Sequence, residues 1–152
     1  MSGLLLYRHG QLGVNDWQLL SDEAADETAA PVPDAKLILS FSRWLALGQP
    51  QHGVWLDNHE NVDQLRDALP SIPLIALRFP VFTDGRAYSQ ARLLRQRLGY
   101  QGELRALGDV QRDQIAYMAR CGFDTFLLRA DQDAEECQAA LIEIKMPVRY
   151  QT

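Results

Sequence analysis

The stretch PLIALRFPVFTDGRAYSQARLLRQRLGYQGELRALG, Pro73 to Gly108, holds a complete strand–helix–strand unit, and its reading decides the fold. An apolar run, LIALRF, gives way to a turn with Pro80 and Asp84-Gly85. Then comes RAYSQARLLRQRL, where Ala87, Ala91, Leu94 and Leu98 fall at the i, i+4, i+7, i+11 spacing of one helical face. Gly99 is placed to stop that helix, and ELRALG begins a second apolar run. Two short strands joined through an amphipathic helix form a parallel pair.

The same rhythm extends to both sides. HGVWLDN precedes the helical pattern NVDQLRDAL, GELRALG precedes DVQRDQIAYMARCG, and DTFLLRA precedes DAEECQAALIEI. Four βα units in a row predict an α/β fold with a parallel sheet, either open or curved like half a barrel, since periodicity does not reveal strand order. Asp57, Arg78, Arg105 and Arg129 stand at corresponding strand-end positions 21, 27 and 24 residues apart, a weak internal repeat. In the third unit Asp109 is expected to cap the helix, Ile115, Met118 and Ala119 form its apolar stripe, and Gly122 ends it.

The N-terminal part reads differently. LLLYRHG and WQLLSD predict the two strands of a hairpin connected through QLGVND, and EAADETAAPVPD, residues 23–34, has surface-loop composition. AKLILSFSRWLALG begins as a strand and turns helical, with Leu37, Phe41, Trp44, Leu45 and Leu47 as candidate core positions. The expected organisation is one domain over residues 1–152, with the hairpin, loop and helix in 1–50 and the repeated units in 51–146.

Composition narrows the function classes. The 152 residues are 47% hydrophobic and 23% charged, an ordinary globular balance. No apolar run approaches the roughly 20 residues that span a bilayer, so the expectation is a cytoplasmic protein with no membrane contact. Cys121 and Cys137 form no C-x-x-C pair and have no neighbouring His, so no metal site is expected and both thiols are read as reduced and structural. A reactive Cys121 beside Arg120 is the alternative.

Charge is segregated along the chain. Residues 1–70 carry −6, residues 71–120 carry +4 and residues 121–152 carry −3, within a net charge of −5. Every cation of the middle segment is Arg, whose planar fork suits bidentate contacts to carboxylates, phosphates or sulfur oxyanions. Pairing of these arginines with the acidic segments inside the fold is the competing explanation.

In a parallel sheet the residues following each strand gather at one edge, where ligands bind in open α/β folds and barrels. That edge collects Asp57, Asn58 and His59, then Thr83, Asp84, Gly85 and Arg86, then Gly108, Asp109 and Asp113, and finally Arg129 with Asp131. Helix N-termini add free N–H groups that favour an anion. Arg86, Ser89 and Arg105 are the candidate anion contacts, with Asp84 and Asp109 as candidate acid–base groups. Asp84-Gly85 is also a common turn, and Arg105, inside a strand, is equally readable as a paired internal arginine. Arg92, Arg95 and Arg97, further along the second helix, read as a solvated face or a partner surface.

Two motifs fall short. LLLYRHGQ has the strand-plus-RHG start of histidine phosphatases, but only His52 and His59 remain and neither stands where a second catalytic histidine belongs. No G-x-G-x-x-G and no G-x-x-x-x-G-K-[ST] occurs, so no cofactor is indicated. The acidic balance makes nucleic acid an unfavoured partner.

FPVFTDGRAYSQARLLRQRLGYQGELRALGDVQRDQIAYMARCGFDTFLLR, Phe79 to Arg129, closely resembles the bacterial domain-of-unknown-function family 934, and the resemblance extends more loosely back through GVWLDN. Members are encoded beside the haemoprotein sulfite reductase and described as oxidoreductases of sulfite reduction. The resemblance therefore implies a role around sulfite reductase without supplying a reaction or catalytic residues. The chain has neither a thiol pair nor a flavin or nicotinamide loop, so a redox centre would belong to a partner. Three functions follow as expectations: an accessory protein of assimilatory sulfite reduction, a small α/β enzyme or oxyanion-binding domain with its site at the strand-end edge, and a homodimeric interaction module.

Overall fold

The computed structural model describes residues 4–20, 36–81 and 85–145, with side chains through Leu141. The predicted loop at 23–34, together with Thr83 and Asp84, lies outside the described residues. The strands are β1 Leu4–Tyr7, β2 Leu12–Val14, β3 Gln18–Leu20, β4 Leu37–Ser40, β5 Gly53–Leu56, β6 Leu74–Phe79, β7 Glu103–Gly108 and β8 Thr125–Leu128. The helices are α1 Phe41–Ala46, α2 Gly85–Arg92, α3 Arg112–Cys121 and α4 Ala134–Lys145.

All eight strands join one sheet in the order β2-β1-β8-β7-β6-β5-β4-β3. From β3 to β8 the strands are parallel and spatially consecutive, while β1 pairs antiparallel with both β8 and β2. Consecutive order with right-handed crossovers places the connecting helices on one face. The larger core lies there, with Leu39, Val54, Leu56, Ile75, Leu77, Phe79, Leu104, Ala106 and Phe126 turned toward Ala87, Ala91, Leu94, Ile115, Met118 and Leu141. The sheet curls away from the helices as a half-barrel, so the expected α/β architecture is present in its curved form.

The degree of curl follows from the chain itself. β2 and β3 are the two opposite edges, yet only Asn15, Asp16 and Trp17 connect them. Seven interstrand spacings would hold the edges of a flat sheet about 34 Å apart. Four Cα steps from Val14 to Gln18 reach at most about 14 Å. The link therefore runs inside the curl, where Trp17 packs with Trp55 and Leu127 against Ile38, Leu74, Ala76 and Leu107 in a second, smaller core.

Several local expectations need correction. The hairpin is β1–β2, built around Arg8–Gln11, and not LLLYRHG with WQLLSD. Gly10 takes φ +99°, and its N–H donates to the Tyr7 carbonyl at 2.7 Å, so the chain turns before the predicted connection. QLL, Gln18–Leu20, instead supplies β3 at the far edge. NVDQLRDAL forms a 3₁₀ segment, Val62–Ser71, with the Asn61 side chain accepting from Asp63 N and Pro70 inside it. Proline has no N–H and its ring crowds the preceding α turn, which favours the tighter helix. Leu45 and Leu47 are exposed, whereas Phe41 and Trp44 are buried as expected, because α1 has only six residues and presents a single narrow face.

Gly108 ends β7 with φ +87°, and a Cβ placed there would lie 2.5 Å from the Phe79 carbonyl oxygen. That same carbonyl accepts from Asp109 N at 2.8 Å, so the close approach of β6 and β7 requires glycine. Gly108→Ala should cost about 1–3 kcal/mol in urea unfolding. Gly85→Ala, where nothing lies within 4 Å of the added methyl, serves as the near-neutral control.

Candidate functional site

At the C-terminal ends of the parallel strands, carboxylates and arginines alternate. Asp57, after β5, accepts from Arg78 Nη1 of β6 at 3.0 Å. Its loop is fixed from three sides: Asp57 N donates to Glu60 Oε1 at 2.8 Å, and Gln90 of α2 donates through Nε2 to the carbonyls of Asp57 and Glu60 at 2.9 and 2.8 Å. Gln90 Oε1 is buried with no hydrogen-bond partner among the described residues.

The second group follows β7 and β8. Arg129 donates from Nε and Nη2 to the two carboxylate oxygens of Asp131, at 3.0 and 2.6 Å, and from Nη1 to Asp109. Gln111 Nε2 also donates to Asp109, at 2.9 Å. These contacts hold the Arg129 guanidinium above its ordinary pKa, Asp131 contributing most and Asp109 next. Asp109 consequently does not cap α3. Gln111 occupies the capping position without a side-chain bond to the helix N–H groups, and the Asp109 carboxylate is held by Arg129 and Gln111. The Arg78 and Arg129 side chains remain 44% and 39% exposed, so each keeps contact with solvent.

Of the other edge candidates, Arg86 and Ser89 are exposed on α2, and His59 and Asp113 are exposed on their loop and helix. Asp84 lies outside the described residues. Arg105 is not at this edge. Register pairs it with Ala76 on one side and Thr125 on the other, three residues before the end of β7, and alternation turns it to the inner face. It is 1% exposed and donates from Nε to Thr125 Oγ1 at 3.2 Å, from Nη1 to Asn15 Oδ1 at 3.0 Å and from Nη2 to Glu103 Oε2 at 2.8 Å. Thr125 Oγ1 donates in turn to Glu103 Oε2 at 2.8 Å. The internal arginine is thus paired, and through Asn15 it anchors the link that crosses the curl.

The three arginines expected on one helical surface have three different environments. Arg95 points inward and clamps the chain: Nε donates to Gly122 O at 2.9 Å, Nη1 to Tyr100 O at 2.8 Å and Gly102 O at 2.9 Å, and Nη2 to Asp124 Oδ2 at 2.5 Å. Arg92 lies in the seam between α2 and α3, donating from Nη1 to Tyr117 Oη at 2.8 Å and approaching Cys121 Sγ at 3.5 Å. Arg97 is exposed. In the same seam Tyr88 donates to Gln114 Oε1 at 3.2 Å, and its ring lies 4.8 Å from that of Tyr117. Burial, reinforced by Cys121 and Tyr117, pushes the Tyr88 phenol up to about 12. The cation beside Cys121 is therefore Arg92, not its sequence neighbour Arg120, and the thiol itself is buried. Neither Tyr117 nor the network of Asn15, Glu103 and Thr125 carried a sequence signal, because each depends on contacts between distant elements. Among the described residues no cluster of His, Cys, Asp and Glu is arranged to hold a metal, and no helix is long and apolar enough to cross a membrane.

A sheet whose strands β3 to β8 are parallel and consecutive, with an antiparallel hairpin at one edge, helices on one face and charged residues at its strand ends, defines the class as a half-barrel α/β protein. Residues 53–152 match the family described as bacterial protein of unknown function, DUF934, and the chain belongs to that family. The match begins at β5 and leaves β1 to β4 with α1 outside it. No curated protein matches the chain.

Arg105→Ala should destabilise the fold by about 2–5 kcal/mol, since it empties a fully buried site and strips Glu103, Thr125 and Asn15 of their shared partner. A double-mutant cycle with Asn15→Ala, read by urea unfolding, should give a coupling of about 0.5–3 kcal/mol. Additive losses would mean that the Asn15–Arg105 bond does not tie the link to the inner face.

Proposed function

We propose that this protein is an accessory protein of assimilatory sulfite reduction that works by binding a partner, with any redox centre residing in that partner. The observation that carries this reading is what folding leaves of the charge segregation: of the eight arginines in residues 71–120, the segment that builds β6, α2, β7 and α3, Arg78, Arg95 and Arg112 pair with the acidic segments, while Arg97 and Arg120 are exposed with no ion pair among the described residues. Such a local field steers association with an acidic surface while the remaining acidic segments disfavour polyanions. The resemblance of this segment to proteins encoded beside sulfite reductase supplies the pathway. Titration of the cognate sulfite reductase with the full chain should show binding that weakens as salt rises from about 0.05 to 0.5 M, together with a change in turnover. No binding at low salt and no effect on turnover would overturn the proposal.

A second reading, a small enzyme or oxyanion-binding domain, is favoured by the half-exposed guanidiniums of Arg78 and Arg129 at the strand ends, with Arg86 and Ser89 at the start of α2. Arginine forks beside a helix N-terminus suit sulfite, sulfate or phosphate. Thermal unfolding should rise with these anions in the wild type, and the rise should disappear in Arg86→Ala. An unchanged shift in that variant would remove the anion contact from this edge.

A further inference from the structure

The exposed arginines are not neutralised evenly. Arg66, Arg78, Arg129 and Arg112 each have a carboxylate oxygen within 4.0 Å. Arg97 and Arg120 are exposed and have no ion pair among the described residues, and Arg92 bonds to a phenol and a thiol. These three lie in the C-terminal halves of two neighbouring helical segments, which Arg95 joins through its bond to Gly122 O. Arg8 is likewise exposed, but it stands alone in the β1–β2 turn. On the same two helical segments two apolar side chains face solvent, Leu93 at 38% and Tyr117 at 42% exposure, the latter in contact with Arg92.

Cations near helix C-termini complement the helix dipole, which explains Arg97 and Arg120 singly. It does not explain an aliphatic and an aromatic side chain left in water on the same helical segments, nor the fixing of Arg92 across the seam. Aromatic and Arg residues around an apolar centre are the composition of protein-binding hot spots.

We propose that the C-terminal halves of α2 and α3, with the helical turn Leu93–Arg97 that extends α2, form a docking face for an acidic segment of a protein partner. Carboxylates of the partner engage Arg92, Arg97 and Arg120, and an aliphatic or aromatic side chain seats between Leu93 and Tyr117. The inference rests on the binding-protein reading above, and it names the partner by its surface chemistry. It also replaces the predicted set of Arg92, Arg95 and Arg97, because Arg95 is committed within the fold. A nucleic acid fits less well, since three cations around an apolar centre offer no track for a phosphate backbone.

The test is an NMR titration of the ¹⁵N-labelled full chain with a peptide of repeating Glu-Glu-Leu, and in parallel with a single-stranded oligonucleotide. Peptide-induced shifts should concentrate at residues 89–97 and 113–122. The double variant Arg97→Glu/Arg120→Glu, which breaks no ion pair among the described residues, should weaken peptide binding by about tenfold or more. Tyr117→Ala should weaken it at high salt as well as low. Shifts centred on Arg8, Arg78 or Arg129, affinity unchanged by charge reversal, or tighter binding of the oligonucleotide would each overturn the proposal. The two proposals separate cleanly. If sulfite reductase fails to bind while the peptide maps to this face, the pathway reading falls and the docking face stands. If the reductase binds the charge-reversed variant as tightly as the wild type, the face falls and the pathway reading stands.

Discussion

Three residues, Asn15 to Trp17, have to join opposite edges of an eight-stranded sheet, and that constraint shapes the molecule. A flat sheet cannot satisfy it, so the strands curl until the edges come within reach of so short a link. Curling gives the sheet two unlike faces. The outer one receives the helices and the larger apolar core. The inner one becomes a confined space that the link itself helps to fill: Trp17 supplies an indole and Asn15 an oxygen for Arg105. A guanidinium in such a space needs partners on every side it can reach, and Glu103, Thr125 and Asn15 provide them from β7, β8 and the link. Closing the sheet and burying Arg105 are therefore one event seen from two directions.

The family match adds a division to this picture. It begins at β5, so the four parallel strands that carry Asp57, Arg78, Asp109 and Arg129 belong to the matched region. β3 and β4 at one edge, the β1–β2 hairpin at the other and the link between them lie outside it. The outer segments bury little of their own surface: β2 and β3 have three residues each, none of them buried. Their attachment depends on pairing with β1 and β4 and on the two inner anchors, Asn15 and Trp17. The edge strands are thus held by the curl as much as they hold it.

The parallel sheet was legible in the sequence because each βα unit is a local pattern, a short apolar run followed by a helical stripe, and both periods survive in the structure. Its curvature was not, since it depends on which strands become the edges. β3 illustrates the point: WQLL has the composition of a strand, but nothing in those residues tells whether it returns beside β1 or crosses to β4. The strand-end grouping was partly legible. Asp57 with Arg78, and Asp109 with Arg129 and Asp131, do meet at the edge, because position after a parallel strand is sufficient to place them. Arg105 does not, because ELRALG extends three residues past it, and equal spacing along the chain is not equal height in the sheet.

The basic helix shows a subtler limit. From Leu93 to Arg97 the helix widens, with Leu98 N–H reaching back five residues to Leu93 O at 2.9 Å. In a regular α-helix Arg92 and Arg95 are i, i+3 neighbours on one face, which is why they read as parts of a common surface. A wider turn advances less angle per residue and changes that phase. Arg95 is carried toward the loops at residues 100–102 and 122–124, while Arg92 stays in the seam with α3. Once inside, Arg95 makes four bonds in a planar arrangement, three to carbonyls and one to Asp124. A lysine ammonium, with its donors around a single point, cannot span those acceptors. The preference for arginine in this segment therefore has two separable causes, an internal cross-link at Arg95 and a cationic face made by the half-buried Arg92 with the exposed Arg97 and Arg120. Only the widened turn tells them apart.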